Sequence, residues 1–315
     1  MRDQFGREIT YLRLSVTELC NLRCRYCMPA EGVCKKQHGE MLTEDEMICA
    51  VEAAASLGVT KLRITGGEPL VKRNILSICS RAAAADGIRE LALTTNATLL
   101  PPLAAPLRDA GVTRLNISLD TLDAEKYRAI TRVGTLDDAL RGIDAALNAG
   151  FEKIKINSVL IGGFNDDEIG ALAALTKRWP VDVRFIELMP MVAGEFDRAA
   201  FLPCSAVTER LPEAAALGSD GVARLYRLPG AHGNIGLISP VSAHFCGECN
   251  RIRITADGRV KPCLHSAAEY SIKGLDRAGM RETIKTAIAG KPAQHPTLSS
   301  EELSEAGRSM NRIGG

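Results

Sequence analysis

Short runs of alternating apolar residues take turns with helical stripes along the first two-thirds of this chain, and that order restricts the fold more than composition does. Strand-like runs lie at 11–17, 60–65, 90–95, 113–119, 153–161 and 181–188, with helical patterns near 43–57, 72–86, 101–110, 123–149 and 166–178. Thr43 and Glu46 have capping-box spacing, Ile48, Val51 and Ala55 form a stripe, and Gly58 follows as a stop. Thr135 caps a second stripe of Leu136, Leu140, Ile143 and Leu147, stopped by Gly150. A helix between successive strands carries the chain back to the same end of the sheet, so such strands pair in parallel. The expectation is an α/β fold, its sheet closed or partly closed as a barrel.

Parallel strands in a packed core are usually apolar on both faces. Here only one face is. Leu12 and Leu14 alternate with Arg13 and Ser15, and Leu62 and Ile64 with Arg63 and Thr65. Leu91 and Leu93 alternate with Ala92 and Thr94, Leu115 and Ile117 with Asn116 and Ser118, and Ile154 and Ile156 with Lys155 and Asn157. Side chains change face at every strand residue. With the apolar set against the helices, the polar set points into the barrel. Buried unpaired charge is costly, so such a lining suits a polar, anionic ligand. The alternative is a half-exposed sheet with one wet face.

Beyond a soft boundary near residue 190, runs near 222–228 and 234–239 suggest mainly β structure, followed by a helix near 279–289 and a polar tail. Asp257-Gly258 between two alternating runs is a hairpin signal. It folds the chain back along Arg251–Thr255 and brings Cys263 towards Cys249.

Two cysteine groups carry chemistry. Cys20, Cys24 and Cys27 follow the first strand with C-x3-C-x2-C spacing, and Cys246, Cys249 and Cys263 have C-x2-C-x13-C spacing. Thiolates are the usual protein ligands of iron–sulfur clusters, and three of them leave one iron of a cubane open. The first group also reads as part of a zinc site or as unrelated residues. The second reads equally as a zinc site completed by His265 or His244. Gly66-Gly67-Glu68-Pro69, at the end of the second strand, lets a ligand approach the backbone without a Cβ in the way. Arg251 and Arg253 share a strand face beside the second group and suit phosphate oxygens. Cys49 and Cys79 lie in helical patterns as small core residues, and Cys34 and Cys204 have no assigned role. His38, His232 and His295 stand as single loop histidines without a partner.

With a net charge of +1, no global field favours nucleic acid or an anionic membrane. No run approaches the ~20 apolar residues of a membrane helix. The start, Met1-Arg2-Asp3-Gln4-Phe5-Gly6, lacks the apolar core of a signal peptide. Ten cysteines without such a signal point to metal or redox chemistry in a reducing cytoplasm rather than to disulfides.

The first triad followed by Gly-Gly-Glu-Pro resembles the radical S-adenosylmethionine (SAM) superfamily. Phe5-Gly6-Arg7, the stretches 12–17, 20–29, 65–69, 93–96, 116–120, 238–242 and 245–264, and the terminal Gly314-Gly315 extend the likeness over essentially the whole chain. In this order they resemble the molybdenum cofactor biosynthesis protein A family, the GTP 3′,8-cyclases. The resemblance implies an incomplete (β/α)6 TIM-type radical SAM barrel over residues 1–190. It implies a C-terminal β-rich region, 191–315, that caps the open barrel and ends in a glycine tail reaching the active site.

The resemblance also implies roles. Cys20, Cys24 and Cys27 hold one [4Fe–4S] cluster, and Cys246, Cys249 and Cys263 a second, whose open iron takes the guanine. Tyr26, Gly67, Ser118 and Met189 contact SAM. Arg13, Arg63, Thr94, Lys155, Arg251, Ile252 and Arg253 contact GTP. Reductive cleavage of SAM gives a 5′-deoxyadenosyl radical, which takes hydrogen from ribose C3′. The carbon radical attacks C8, and a further reduction gives (8S)-3′,8-cyclo-7,8-dihydroguanosine 5′-triphosphate, the first step of molybdenum cofactor biosynthesis. Implied partners are a flavodoxin- or ferredoxin-type reductant, a downstream cyclic pyranopterin monophosphate synthase and a second copy in a homodimer. Two other readings stand beside this one: a radical SAM enzyme acting on a peptide, and a non-enzymatic zinc protein.

Overall fold

Thr43 accepts from the Glu46 amide while the Glu46 carboxylate accepts from the Thr43 amide, so the first helix, Glu44–Ala55, starts where its capping box places it. The same correspondence runs through the computed structural model, which describes residues 1–34, 36–191, 198–296, 298 and 304–314. The strands are β1 (Tyr11–Ser15), β2 (Lys61–Thr65), β3 (Glu90–Thr95), β4 (Arg114–Ser118), β5 (Lys153–Leu160) and β6 (Val181–Glu187). Helices separate them, and each strand pairs in parallel with the next.

The C-terminal part adds β7 (Ala215–Asp220), β8 (Ala223–Arg227), β9 (Ile235–Ile238), β10 (Arg251–Ile254), β11 (Arg259–Lys261) and β12 (Tyr270–Ser271). The sheet order is β12-β11-β10-β1-β2-β3-β4-β5-β6-β9-β8-β7. The six parallel strands are thus extended at both edges by C-terminal strands, β10 in parallel beside β1 and β9 in parallel beside β6. Among the described residues the two ends of this order do not pair, so the sheet is open.

The core lies between the outer strand face and the helices. Leu12, Leu14, Leu62, Ile64, Leu93, Leu115, Ile117 and Ile156 are wholly buried there. Each contributes about 1.5–3 kcal/mol by removal from water.

The stretch 123–149 is two helices, Ala124–Thr131 and Leu136–Asn148. Arg132 takes φ 65° at the break, and Gly134 packs where a Cβ would lie 2.7 Å from Leu22. Asp257-Gly258 forms the expected turn with Gly258 at φ 77°, and β10 pairs antiparallel with β11. The strands β7 and β12 and the short helices Ser205–Arg210 and Met310–Ile313 were not expected from the sequence. No helix among the described residues is long and apolar enough to cross a membrane.

Candidate active site

Register sets the lining. Arg13 lies opposite Arg63 on β2 and Arg253 on β10. Thr94, Asn116, Lys155 and Asp182 form a second row from β3 to β6. Arg13 Nε, Arg63 Nε, Thr94 Oγ1 and Asn116 Nδ2 are buried without a hydrogen-bond partner. Buried polar groups are normally paired, so this row is built for a ligand that supplies acceptors.

The charges agree. Burial, then repulsion from Arg13 and Arg114, brings Arg63 down to about 9. Burial followed by Arg13 lowers Arg251, and burial with Arg13 and Arg251 holds Arg253 well below the usual guanidinium value. An anion among these bases relieves both desolvation and mutual repulsion. Tyr11 lies at the edge of the cluster. Its ring centroid is 5.2 Å from Lys61 Nζ and 5.4 Å from the Arg63 guanidinium, and its hydroxyl is buried without a partner.

Lys155 is placed differently. Its Nζ donates to Asp220 Oδ2 at 2.7 Å, and Arg184 Nη2 donates to the same oxygen at 2.6 Å. Asp220 comes from the end of β7, so a carboxylate of the C-terminal hairpin covers two bases of the lining. Ile252 lies between the two arginines of β10, but its side chain is on the opposite, wholly buried face. Only its backbone is on offer to a ligand.

The first triad follows the C-terminal end of β1. Cys27 N donates to Cys24 O at 2.9 Å, and Leu22 N to Cys20 Sγ at 3.3 Å. Burial pushes the Cys20 thiol up to about 11 and Cys27 to about 12; the neighbouring thiols add to the rise at Cys24 and Cys27. Three converging thiols that resist ionisation together suit a shared cation. The Gly-Gly-Glu-Pro turn is tied to the approach of this loop: Gly67 N donates to Thr17 O and Glu68 N to Leu19 O, both at 2.8 Å. A Cβ on Gly67 would stand 2.5 Å from Leu19 O. Tyr26 Oη donates to Asp120 at 2.7 Å, and burial raises Asp120 to about 6. Ser118 ends β4, and Met189 packs beside Met191, Ala306 and Ile313.

The second triad sits at the other end of the lining. Cys249 precedes β10 by two residues and Cys263 follows β11 by two, so the hairpin places both at the N-terminal end of the parallel strands. The length of β1, about 13 Å at ~3.3 Å per residue, separates this end from the first triad. Lys291, 2% exposed, bonds Arg251 O at 2.9 Å and Pro262 O at 2.7 Å, clamping the two strands. Burial raises the Cys249 thiol, but Lys291 and Arg251 bring it below the ordinary value. Cys246 is likewise lowered against burial, by a hydrogen bond from His295.

The tail enters the same chamber. Gly314 lies against Ser15 and Thr65, its carbonyl accepts from Arg253, and Asn311 Nδ2 donates to Glu18 O at 3.0 Å. Gly315 lies outside the described residues.

Sequence reasoning missed Lys61, Arg184, Asp220, Lys291 and His295. Arg184 was legible, because Asp182 and Arg184 alternate with Val181, Val183 and Phe185 as in the other strands. His295 is no isolated loop histidine. Its ring stacks on His244 at 4.4 Å and lies 4.9 Å from His265.

Comparison with known proteins agrees with this geometry. The profile of the Radical SAM superfamily matches residues 14–176, and that of Molybdenum Cofactor Synthesis C matches 181–297. The chain is 46% identical over 321 residues to a GTP 3',8-cyclase of Alkaliphilus oremlandii and 47% identical over 328 residues to one of Pelotomaculum thermopropionicum, with full coverage of both partners. Among solved structures, Streptococcus suis SuiB bound to S-adenosylmethionine superposes with a TM-score of 0.63 at 16% identity, covering 90% of this chain and 65% of that one. The structure of anSMEcpe with bound AdoMet gives 0.57 at 14% identity, covering 91% and 79%. These two show the fold. The full-length sequence likeness, together with a radical SAM barrel that carries a thiol triad at each end of a cationic lining, places this chain in the GTP 3',8-cyclase family of radical SAM proteins.

Proposed function

We propose that the chain converts GTP to (8S)-3′,8-cyclo-7,8-dihydroguanosine 5′-triphosphate at the start of molybdenum cofactor biosynthesis. One observation carries this reading: a row of buried, unpartnered basic and polar atoms lies between two groups of three thiols. Cys20, Cys24 and Cys27 would hold a [4Fe–4S] cluster, and Gly67, Tyr26, Ser118 and Met189 would hold SAM beside it. A cluster with SAM bound there would supply the radical chemistry that opens the reaction at the ribose.

The chain's own residues do the rest. Arg13, Arg63, Arg251 and Arg253 would anchor the triphosphate through charge-assisted bonds, with Thr94 positioned to donate to it. Lys155 and Arg184 join them once phosphate oxygens replace the Asp220 carboxylate. This remote binding energy orients the ribose towards the first triad. Gly314, seated between Ser15 and Thr65, helps close the chamber against water. Cys246, Cys249 and Cys263 would hold a second [4Fe–4S] cluster facing the guanine.

The division near residue 190 follows from this use: the barrel strands carry SAM, and the remainder carries the second cluster. A reducing cytoplasmic setting, a flavodoxin- or ferredoxin-type donor and a downstream cyclic pyranopterin monophosphate synthase belong to the same reading.

Arg253→Ala tests it. GTP binding should weaken by about tenfold or more, since a bond to a charged group contributes about 1.5–3 kcal/mol, while iron content stays constant. Unchanged affinity would refute the arginine role.

A further inference from the structure

Cys246 has neighbours that the first triad lacks. One ligand atom each from His244, Cys246 and His295 lies within 4.8 Å of the others. No other group of three histidine, cysteine or acidic side chains among the described residues reaches this spacing. We propose that this trio is a binding site for a tetrahedral divalent cation of the zinc type, occupied in the chain that lacks the second cluster and exclusive with it because both use Cys246.

The site is held in advance by parts far apart in sequence. Arg7, paired with Asp3 at 2.6 Å, donates to Cys246 O at 2.8 Å, to Ala293 O at 2.9 Å and to Pro292 O at 2.6 Å. This buried guanidinium clamps the loop carrying Cys246 to the segment carrying His295. His295 Nδ1 lies 2.7 Å from Pro296 O. A carbonyl accepts only, so Nδ1 stays protonated, and a cation would replace the Nε2 proton through which the ring meets Cys246. Fixing a metal-binding histidine through its second nitrogen is the usual device at such sites.

His295 is 6% exposed, while His244 is exposed and free to adjust. Zinc bonds of about 2.3 Å to sulfur and 2.0 Å to nitrogen hold ligand atoms roughly 3.5 Å apart. Rotation of His244 closes the remaining distance, and solvent supplies the fourth ligand. One thiolate with two imidazoles matches borderline cations rather than calcium or magnesium. The sequence alternative of three thiols plus His244 or His265 is a different ligand set, and the two can be told apart.

The test uses the full chain carrying Cys20→Ser, Cys24→Ser and Cys27→Ser, stripped of iron under anaerobic conditions and checked for fold by circular dichroism. It is titrated with Co2+ and then with Zn2+. The expected result is one Co2+ per chain, with a thiolate-to-cobalt charge-transfer band and tetrahedral visible absorption, displaced by Zn2+. His244→Ala and His295→Gln should each weaken binding at least about tenfold, the lower bound for losing even an outer partner. Cys246→Ser should abolish the charge-transfer band, and Cys249→Ser and Cys263→Ser should leave it unchanged.

The proposal is overturned if no Co2+ binds. It is equally overturned if Cys249→Ser or Cys263→Ser removes the band while the histidine variants keep it, which would put the metal on the three thiols. The titration needs no cluster and no turnover, so its outcome is independent of whether the chain cyclises GTP.

Discussion

Gly314→Ala should disable the enzyme while leaving its fold and its iron content intact. Gly314 sits at φ 89° and ψ 98°, a conformation that costs another residue about 1–3 kcal/mol. Its new Cβ would stand 2.6 Å from Thr65 Oγ1 and 2.9 Å from Ser15 Cβ. Both neighbours are essentially unexposed and sit on packed strands, so relief by small shifts costs a further ~1–3 kcal/mol. Against this total of about 2–6 kcal/mol stand the Asn311 bond to Glu18, the Arg253 bond to the Gly314 carbonyl, and burial of Ile313. Even the lower figure reduces the equilibrium constant for tail docking about 30-fold, since 1.4 kcal/mol is a factor of ten. The assay is GTP-dependent release of 5′-deoxyadenosine, read beside carboxypeptidase digestion of the tail. Gly163→Ala is the control: Gly163 has φ 71° but nothing within 4 Å of the new Cβ, so it should lose stability and not activity. Wild-type turnover and a protease-resistant tail in Gly314→Ala would refute the reasoning.

Two further outcomes are expected. Asp120, raised to about 6 by burial, keeps its proton in the folded chain when the unfolded chain has released it. Stability therefore falls as pH rises from about 4 to 6, and Asp120→Asn removes that loss. In urea unfolding of the iron-free chain, the variant should gain about 3 kcal/mol on wild type between pH 4 and 7, and parallel pH curves would contradict the burial argument. Asp220→Asn should free Lys155 and Arg184; since Asp220 is half exposed, we expect only about fivefold tighter GTP binding, and weaker binding would mean that Asp220 orients these bases instead.

The architecture was legible because the strands carry their two faces in their spelling. Arg13 and Arg63 among leucines and isoleucines placed a cationic row inside a barrel, and the register set that row side by side. The hairpin at Asp257-Gly258 explained in advance why Cys263 approaches Cys249. The misses have a common cause. His295 meets Cys246 through a clamp made by Arg7, and Lys291 spans two strands through backbone carbonyls; no local period encodes such contacts. The exposed strand β7 has no buried face at all, so Ala-Ala-Leu-Gly-Ser-Asp shows no alternation to read. Asp220 at its end was therefore invisible as a partner of Lys155.

The most direct measurement uses the anaerobically reconstituted chain with SAM, a strong reductant and GTP deuterated at ribose C3′. The account predicts roughly eight irons per chain from two [4Fe–4S] clusters, deuterium in the 5′-deoxyadenosine released, and GTP converted to the 3′,8-cyclised dihydroguanosine triphosphate. Unlabelled 5′-deoxyadenosine with GTP recovered intact, or zinc in place of iron at both triads, would contradict it.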